Sequence, residues 1–578
     1  MAPYTGTSRR LVLAFDVGTT FSAVAYCVLD PGIEPQIQAI NRYPGQENGD
    51  CKIPTVLYYT QEGKLRAAGA EAMANVMRLV AEDEELIFVE WFKLHLRPTP
   101  LKDSHPRPLP PGKSAEDVFT DFLGYLYECA RRFVTESRPN GENFWNSLRD
   151  STEIILTHPN GWEGQQQDKM RAAALSISDI AVGHARVSFV TEGEASLHYC
   201  LQSATVRDAI QTGNNIMIID AGGGTIDIST YTFTSATSPI TVEEIAPPGC
   251  IIQGSTRVNL RAQDFLFAKL RDSAYGNEED MAAMLENFDQ STKITFRDPT
   301  DRSYIKFGSM KDRDLKVGIR SGQLAVDGAD MARFFEPSIR AILEAAADQV
   351  KAGKGYDIKT AFLVGGFAAS PYLYNQLREL LRPKGISLSR PDTPTNKAVA
   401  EGAISYFLDH LVSVRVAPVT YGTRIVAYYD PLKKDHFLRK DKVLKRPSGR
   451  LVLPNAFLVS LAKGTRMREG SELCLDLHRE SPKHKDLDFI TADLIAYRGK
   501  SKNPCWVDEE PEMFSILCKV EADTSKVPKT KVNGAHGDYF SVTFKLILIC
   551  GMTEMSAQIS WSRDNNEFRG PAKIVHHT

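Results

Sequence analysis

The sequence predicts an α/β fold of two related lobes followed by an all-β sandwich. Three observations carry that expectation. Residues 11–20 read Leu-Val-Leu-Ala-Phe-Asp-Val-Gly-Thr-Thr and residues 216–227 read Ile-Met-Ile-Ile-Asp-Ala-Gly-Gly-Gly-Thr-Ile-Asp, one device used twice about 200 residues apart. Residues 361–366, Ala-Phe-Leu-Val-Gly-Gly, repeat the strand and the glycine turn. After His410, helical periodicity gives way to short alternating runs separated by Gly, Pro, Asn and Asp.

Each apolar run is rich in Ile, Val or Leu, as suits a strand buried on both faces. Gly18 in the first turn, and Gly222, Gly223 and Gly224 in the second, let backbone N–H groups approach a phosphate closely. Thr19, Thr20 and Thr225 add hydroxyl donors, and Asp16 and Asp220 at the strand ends can hold a divalent cation through water. A turn-forming Asp explains either site alone. Two matching copies imply half-domains closing on one nucleotide from opposite sides. The Gly365–Gly366 pair, followed by Phe367 and a helix from about Pro371, lets a flat ring approach the backbone.

Between these signals helices and strands alternate. Val118, Phe119, Phe122, Leu123, Leu126, Ala130 and Phe133 recur at three- and four-residue spacing, which predicts one apolar helix face ahead of a strand at 153–157. A core helix explains these aromatics without a cofactor. Residues 97–113 carry six prolines and read as an exposed connector, with partner docking as the alternative. The chain is expected to form lobe I over 1–214, lobe II over 215–394, a return to lobe I over 395–411 near Thr395, and a β-domain over 412–578. Strands are expected at 424–429, 457–461, 472–477, 489–497, 513–521, 539–549 and 554–561, an antiparallel sandwich.

The 578 residues imply three or four domains, and 42% apolar content supports real cores. A net charge of −3 gives no whole-chain attraction to nucleic acid or membrane. The nine cysteines lack Cys-x-x-Cys spacing and read as reduced thiols of an intracellular protein. No apolar run approaches the roughly 20 residues that span a bilayer. Residues 1–10 lack a leader's apolar stretch and the C-terminal His-His-Thr is no retention signal, so a cytoplasmic location is expected. The stretch from Lys433 to Arg446 is basic, diluted by two Asp. It reads as a solvated hairpin face, with an acidic partner or phosphate surface as the sharper alternative.

The order of the three strand-turn signals resembles the actin, hexokinase and heat shock protein 70 superfamily, whose two lobes are ribonuclease H-like halves. Within it, Asp16-Val-Gly-Thr-Thr-Phe-Ser22 and Asp220-Ala-Gly-Gly-Gly-Thr-Ile-Asp227 resemble the two phosphate signatures of heat shock protein 70. Val190-Thr-Glu-Gly-Glu-Ala-Ser196 and Asn396-Lys-Ala-Val-Ala-Glu-Gly-Ala-Ile404 resemble two further segments of that family. Phe88-Val-Glu-Trp-Phe-Lys-Leu-His-Leu96 and Glu194 look like its divergent member-12 branch, known in animals and abundant in fungi.

The resemblance implies ATP or ADP with Mg²⁺, held mostly through water by Asp16 and Asp220. Glu192 and Asp227 would hold the cation's waters. Gly18, Thr19, Thr20, Phe21, Gly222, Gly223, Gly224 and Thr225 would line the phosphates. Gly365, Gly366, Phe367 and Lys293 would face the adenosine, a solvated helix lysine being the alternative for Lys293. An ungapped count from Gly69 puts Met73 where the common forms carry a catalytic lysine. A thioether supplies no positive charge, and losing one such group costs on the order of 10²–10³ in rate, so slow hydrolysis is expected. Lys93, close in sequence, could take the role, completing a catalytic set with Asp16, Glu192, Asp220 and Asp227.

Residues 412–578 then resemble a peptide-gripping β-subdomain, but the preceding linker, residues 409–415, is apolar rather than acidic and Leu-rich, and no helical lid is expected. The resemblance implies a chaperone-like ATPase coupling slow hydrolysis to a polypeptide client, with possible co-chaperones. The alternative is a nucleotide-sensing adaptor for one dedicated protein partner, which Met73 and the missing lid favour. A metabolic kinase is the least supported reading, because a kinase's second lobe does not normally lead into a β-sandwich.

Overall fold

Leu11 to Phe15 are all buried, and the strand they form, β1 (Arg10–Asp16), sits at the centre of the first lobe's sheet in this computed structural model. The structure describes every residue except 1–2, 47, 98–106, 163, 178–185, 204–205, 208–209, 238, 393–396, 535, 551–554, 564–565, 571–572 and 576–578. Much of the proline-rich connector, and the expected return point at Thr395 and Asn396, therefore lie outside the described residues.

β1 pairs antiparallel with β2 (Phe21–Leu29) and parallel with β4 (Thr152–His158). β4 runs parallel to β5 (Arg186–Thr191), and β3 (Gln38–Ala39) lies antiparallel beyond β2. The second lobe repeats this plan. β6 (Asn215–Ala221) is antiparallel to β7 (Ile226–Ser235) and parallel to β9 (Thr360–Val364), with β8 (Thr241–Glu244) beyond β7 and β10 (Ser387–Ser389) beyond β9. The orders β3-β2-β1-β4-β5 and β8-β7-β6-β9-β10 are the same, direction for direction. In both, the Gly-Thr turn is the hairpin between the first two strands, so a repeated sequence device reflects a repeated sheet.

Helix α1 (Ala115–Glu136) begins in a capping box: Ser114 Oγ accepts from Asp117 N at 3.1 Å and Asp117 Oδ2 accepts from Ser114 N at 2.8 Å. Val118, Phe119, Phe122, Leu123, Leu126 and Ala130 are buried along one face, and Phe133 meets Tyr26 at 6.1 Å. Two helices cross between the lobes. α2 (Glu192–Cys200) follows β5 of the first lobe yet packs on β6 and β7 of the second. α5 (Ala398–Leu408) follows the second lobe and packs on β1 and β2 of the first. The second lobe's core forms where α3 (Ser255–Leu270) and α4 (Gly328–Ala352) cover its sheet, with Val258, Leu266, Phe335 and Ile342 buried against Met217, Ile219 and Leu363.

The chain divides into two compact units. One holds both lobes (1–97, 103–161 and 169–412), the other 98–102, 162–168 and 413–578. The second unit contains two antiparallel sheets. One includes β11 (Thr420–Tyr428), β12 (Leu451–Leu461), β14 (Phe489–Tyr497) and β15 (Phe514–Asp523). The other includes β13 (Glu472–Ser481), β16 (Thr530–Gly534), β17 (Gly537–Cys550), β18 (Met555–Arg563) and β19 (Asn566–Arg569). Tyr421, Ile490, Leu494 and Val520 of the first sheet share one core with Val542, Phe544, Leu546 and Ile559 of the second. Alternation is plain along β17, where Val542, Phe544 and Leu546 are buried while Thr543 and Lys545 are exposed. The seven runs expected as strands fall on strands, except that Tyr429 lies just past β11, Met513 closes the short helical turn Pro511–Met513 ahead of β15, and Glu554 lies outside the described residues.

Candidate functional site

The two Gly-Thr turns meet. A Cβ placed on Gly223 would overlap Thr20 Oγ1, and one on Gly224 would overlap Thr19 Oγ1, so the loops of opposite lobes approach with room for hydrogen alone. The first N–H groups of α3 hold the second loop from behind: Ser255 N donates to Gly222 O at 3.1 Å, Thr256 N to Gly223 O at 2.9 Å, and Gly254 N to Gly224 O at 3.2 Å. With those carbonyls tied to α3, the N–H groups of Gly223 and Gly224 face the other way, an arrangement that suits an anion. In the first loop Gly18 N donates to Ser22 Oγ at 3.2 Å and Thr20 O accepts from Thr55 N at 2.9 Å. Thr19 and Thr225 are buried, whereas Phe21, the first residue of β2, is 48% exposed.

Four carboxylates gather between the loops, each with an orienting partner. Asp16 Oδ1 accepts from Thr157 Oγ1 at 3.2 Å and Oδ2 lies 3.1 Å from Lys52 Nζ. Asp220 Oδ2 accepts from Ser196 Oγ at 2.6 Å. Asp227 Oδ1 accepts from Asn160 N at 2.6 Å, and its buried Oδ2 has no hydrogen-bond partner. Glu192 Oε1 lies 2.6 Å from Lys93 Nζ. Four carboxylates against two ammonium groups leave two excess negative charges in a buried place.

That excess appears in the titration of the cluster. Burial, then the Glu192 carboxylate, push Asp220 up to about 7. Burial and Glu192 likewise raise Asp227 well above the carboxylate range, and burial raises Glu192 despite Lys93. Burial alone would lower Lys52, yet Asp16 beside it, with Asp220 and Glu192 beyond, holds it above the ordinary lysine value. With all four carboxylates ionised, the two uncompensated charges and the unsatisfied Asp227 oxygen fit a divalent cation. Among the described residues no three His, Cys, Asp or Glu side chains converge closely enough to ligate an ion directly.

Lys93 reaches the cluster by local geometry. After the strand Ile87–Glu90, Trp91 takes a left-handed conformation (φ 58°), rare for a bulky residue, and the tight helical turn Phe92–Leu96 follows. Phe92 anchors the turn on Phe119 and Phe122, and Lys93 is buried beside Glu192. Met73 ends the short helix Gly69–Ala72, and the two ammonium groups of the cluster come from Lys52 and Lys93. An ungapped count could not allow for the turn at Trp91.

The nucleoside side is mixed. Gly365 has φ +90°, and a Cβ there would overlap Ala221 O and Asp220 Oδ1, so only glycine fits beside the carboxylate; Gly366 opens on free space. The ring of Phe367 is buried in the second lobe's core, 6.0 Å from Phe335, so it is the backbone of this turn that a flat ring could approach. Nor is Lys293 a solvated lysine. It is buried, donates to Asn259 Oδ1 at 2.9 Å and pairs with Asp289.

Sequence reasoning missed several groups. Lys52 lies in an irregular segment, Asn160 follows β4, and Cys250 faces Asp227 across the strand pair, its thiol pushed up by burial and by Asp227 and Glu192. Arg78, on the helix Asn75–Asp83 of the first lobe, pairs in bidentate fashion with Glu286 on the helix Glu278–Asn287 of the second, with Nη1 to Oε2 at 2.9 Å. Only the signature of paired loops was local enough to announce itself.

No protein-family model matches the chain. It is 22% identical to heat shock 70 kDa protein 12A of Mus musculus, over 72% of this chain and 72% of that protein. It is also 22% identical to heat shock 70 kDa protein 12A of Homo sapiens, over 73% of each, and 21% identical to heat shock 70 kDa protein 12B of Homo sapiens, over 73% of this chain and 72% of that protein. A duplicated lobe, paired glycine loops and this likeness along most of the chain make it a distant, heat shock protein 70 member-12-like protein.

Proposed function

We propose that the two-lobed unit binds Mg²⁺-ATP and hydrolyses it slowly, and that the β-sandwich unit carries a polypeptide client or a dedicated protein partner. The observation that supports this most is the meeting of Thr19 and Thr20 with Gly223 and Gly224 beside four carboxylates whose excess charge is two. Bound Mg²⁺ would neutralise phosphate charge. In this reading Asp16 and Asp220 hold its waters, Glu192 and Asp227 orient water near the reacting phosphate, and the loop N–H groups and threonines fix the phosphates. Lys93 and Lys52 supply positive charge, which phosphoryl transfer needs along with positioning. Asn160, Ser196 and Thr157 are positioning residues that hold the carboxylates.

The adaptor reading without hydrolysis loses the support of Met73, since Lys93 occupies the cluster. Single-turnover ATP hydrolysis with binding followed in parallel separates the two. Lys93→Ala is expected to lower the hydrolysis rate by about 10²-fold or more while ATP still binds. Asp220→Ala is expected to weaken Mg²⁺-dependent binding. Tight ATP binding with no turnover in the unaltered protein would favour the adaptor, and unchanged Mg²⁺-ATP affinity in Asp220→Ala would reject the site.

A further inference from the structure

The segment 429–450 joins β11 to β12 of the sandwich unit and takes no part in the nucleotide reading. We propose that it is a peripheral docking surface for anionic lipid membranes, with Leu432, Phe437 and Leu438 entering the headgroup layer and Lys433, Lys434, Lys440 and Lys445 meeting its phosphates.

The segment is pinned from beneath. Trp506 is buried against Leu453 and Ala456, and the Arg439 guanidinium lies 4.3 Å from its ring. Arg439 donates to both oxygens of Asp508 at 2.7 and 2.9 Å, Lys442 reaches the same carboxylate at 2.7 Å, and Trp506 Nε1 donates to Asp435 at 3.2 Å. His436 is buried, and its Nδ1 accepts from Asp430 N at 3.1 Å. The side chains directed outward are therefore held in place by a fixed base.

What points outward is unusual. Leu432 is 93% exposed, Leu438 73% and Phe437 53%. Seven of the fourteen residues 433–446 are Lys or Arg, in a chain whose net charge is −3. Arg439 and Lys442 are paired with Asp508, and Arg446 lies 3.8 Å from Glu480. Lys433, Lys434, Lys440 and Lys445 have no ion-pair partner among the described residues; Lys440 rests over the Phe437 ring at 5.3 Å. Unpaired cations and exposed apolar side chains thus share one short segment.

Charge complementarity calls for an anionic surface, and the form of the apolar groups selects among such surfaces. A protein partner binds through packed, shape-matched pockets. Here Leu432, Phe437 and Leu438 are exposed on a short segment in which Lys433, Lys434 and Lys440 lie beside them in sequence. A headgroup layer accepts such side chains without a matching shape, and basic residues beside Leu and Phe are the composition of interfacial anchors. No helix among the described residues is long and apolar enough to cross a membrane, so the contact is made on the surface.

The test is flotation of the full chain with phosphatidylcholine vesicles, with and without about 30% phosphatidylserine, at about 0.05 M and 0.5 M salt. Flotation is expected only with phosphatidylserine and only at low salt. Lys433→Glu/Lys434→Glu should weaken it by about thirtyfold or more, and Leu432→Ser/Leu438→Ser should also weaken it. Lys311→Glu/Lys316→Glu, an exposed pair in the lobed unit, should leave it unchanged. In Leu438→Trp, with thermal melting as the check on folding, indole emission should shift to the blue on anionic vesicles. Three results would overturn the proposal: no flotation, equal losses in the control pair, or retention on polyglutamate without flotation, which would assign the surface to an acidic protein instead.

Discussion

His158 is a titratable group that the site keeps uncharged. It is buried at the end of β4, with Nδ1 2.9 Å from Pro159 O, and burial, together with the nearby Lys93 charge, lowers its pKa to about 4 from 6.5. The unfolded chain takes up this proton first as pH falls, so the neutral histidine's contribution to stability is complete above about 6.5 and is lost as pH falls towards 4. The whole interval corresponds to about 3 kcal/mol. The cluster carboxylates act in the opposite direction, because Asp220, Glu192 and Asp227 are raised and favour the folded state as they protonate. The quantity to measure is therefore a difference. Denaturant unfolding between pH 7 and pH 4.5 should show a smaller loss of stability for His158→Gln than for the unaltered chain. Parallel pH profiles for the two would mean that His158 is not the acid-sensitive group.

At the level of elements, α2 and α5 cross at close range where the lobes join. A Cβ on Gly402 would overlap the carbonyl oxygen of Ala195, backbone that cannot swing aside as a side chain would. Gly402→Ala is expected to destabilise the lobed unit by about 2–3 kcal/mol, measured by thermal or denaturant unfolding, whereas Gly366→Ala, where a Cβ meets open space, should be close to neutral. Equal effects would show that the helices separate to admit the methyl group. The glycines that make the site were legible because strand, turn and threonine are adjacent in sequence. Lys52, Asn160 and Cys250 were not, since each meets its carboxylate only after sheets and loops have folded together. Lys93 lay between these cases: the residue was identified, but its place depends on the turn at Trp91, which spacing does not reveal. For Phe367 the sequence marks the turn but not where the ring goes, which only its packing against Phe335 in the folded lobe reveals.

For the whole molecule, each compact unit has a hydrophobic core of its own, including one cluster in the second lobe and one between the sandwich sheets. A ligand of the lobed unit stabilises that unit by mass action, about 4 kcal/mol at a thousandfold excess over its dissociation constant. For a unit of this size that raises the melting temperature by a few degrees. Calorimetry of the full chain should therefore show two transitions, with Mg²⁺-ATP moving the lobed unit's upwards. The sandwich transition reports something else. If nucleotide occupancy changes how the second unit behaves, the sandwich transition must move as well, because coupling is a free energy shared by both sites. A chaperone-like cycle requires that second shift, and adding an unfolded peptide should then move the lobed unit's transition in return. A first transition that responds to nucleotide beside a second that never does would describe two independent modules on one chain. The nucleotide site would then serve some purpose other than control of the sandwich.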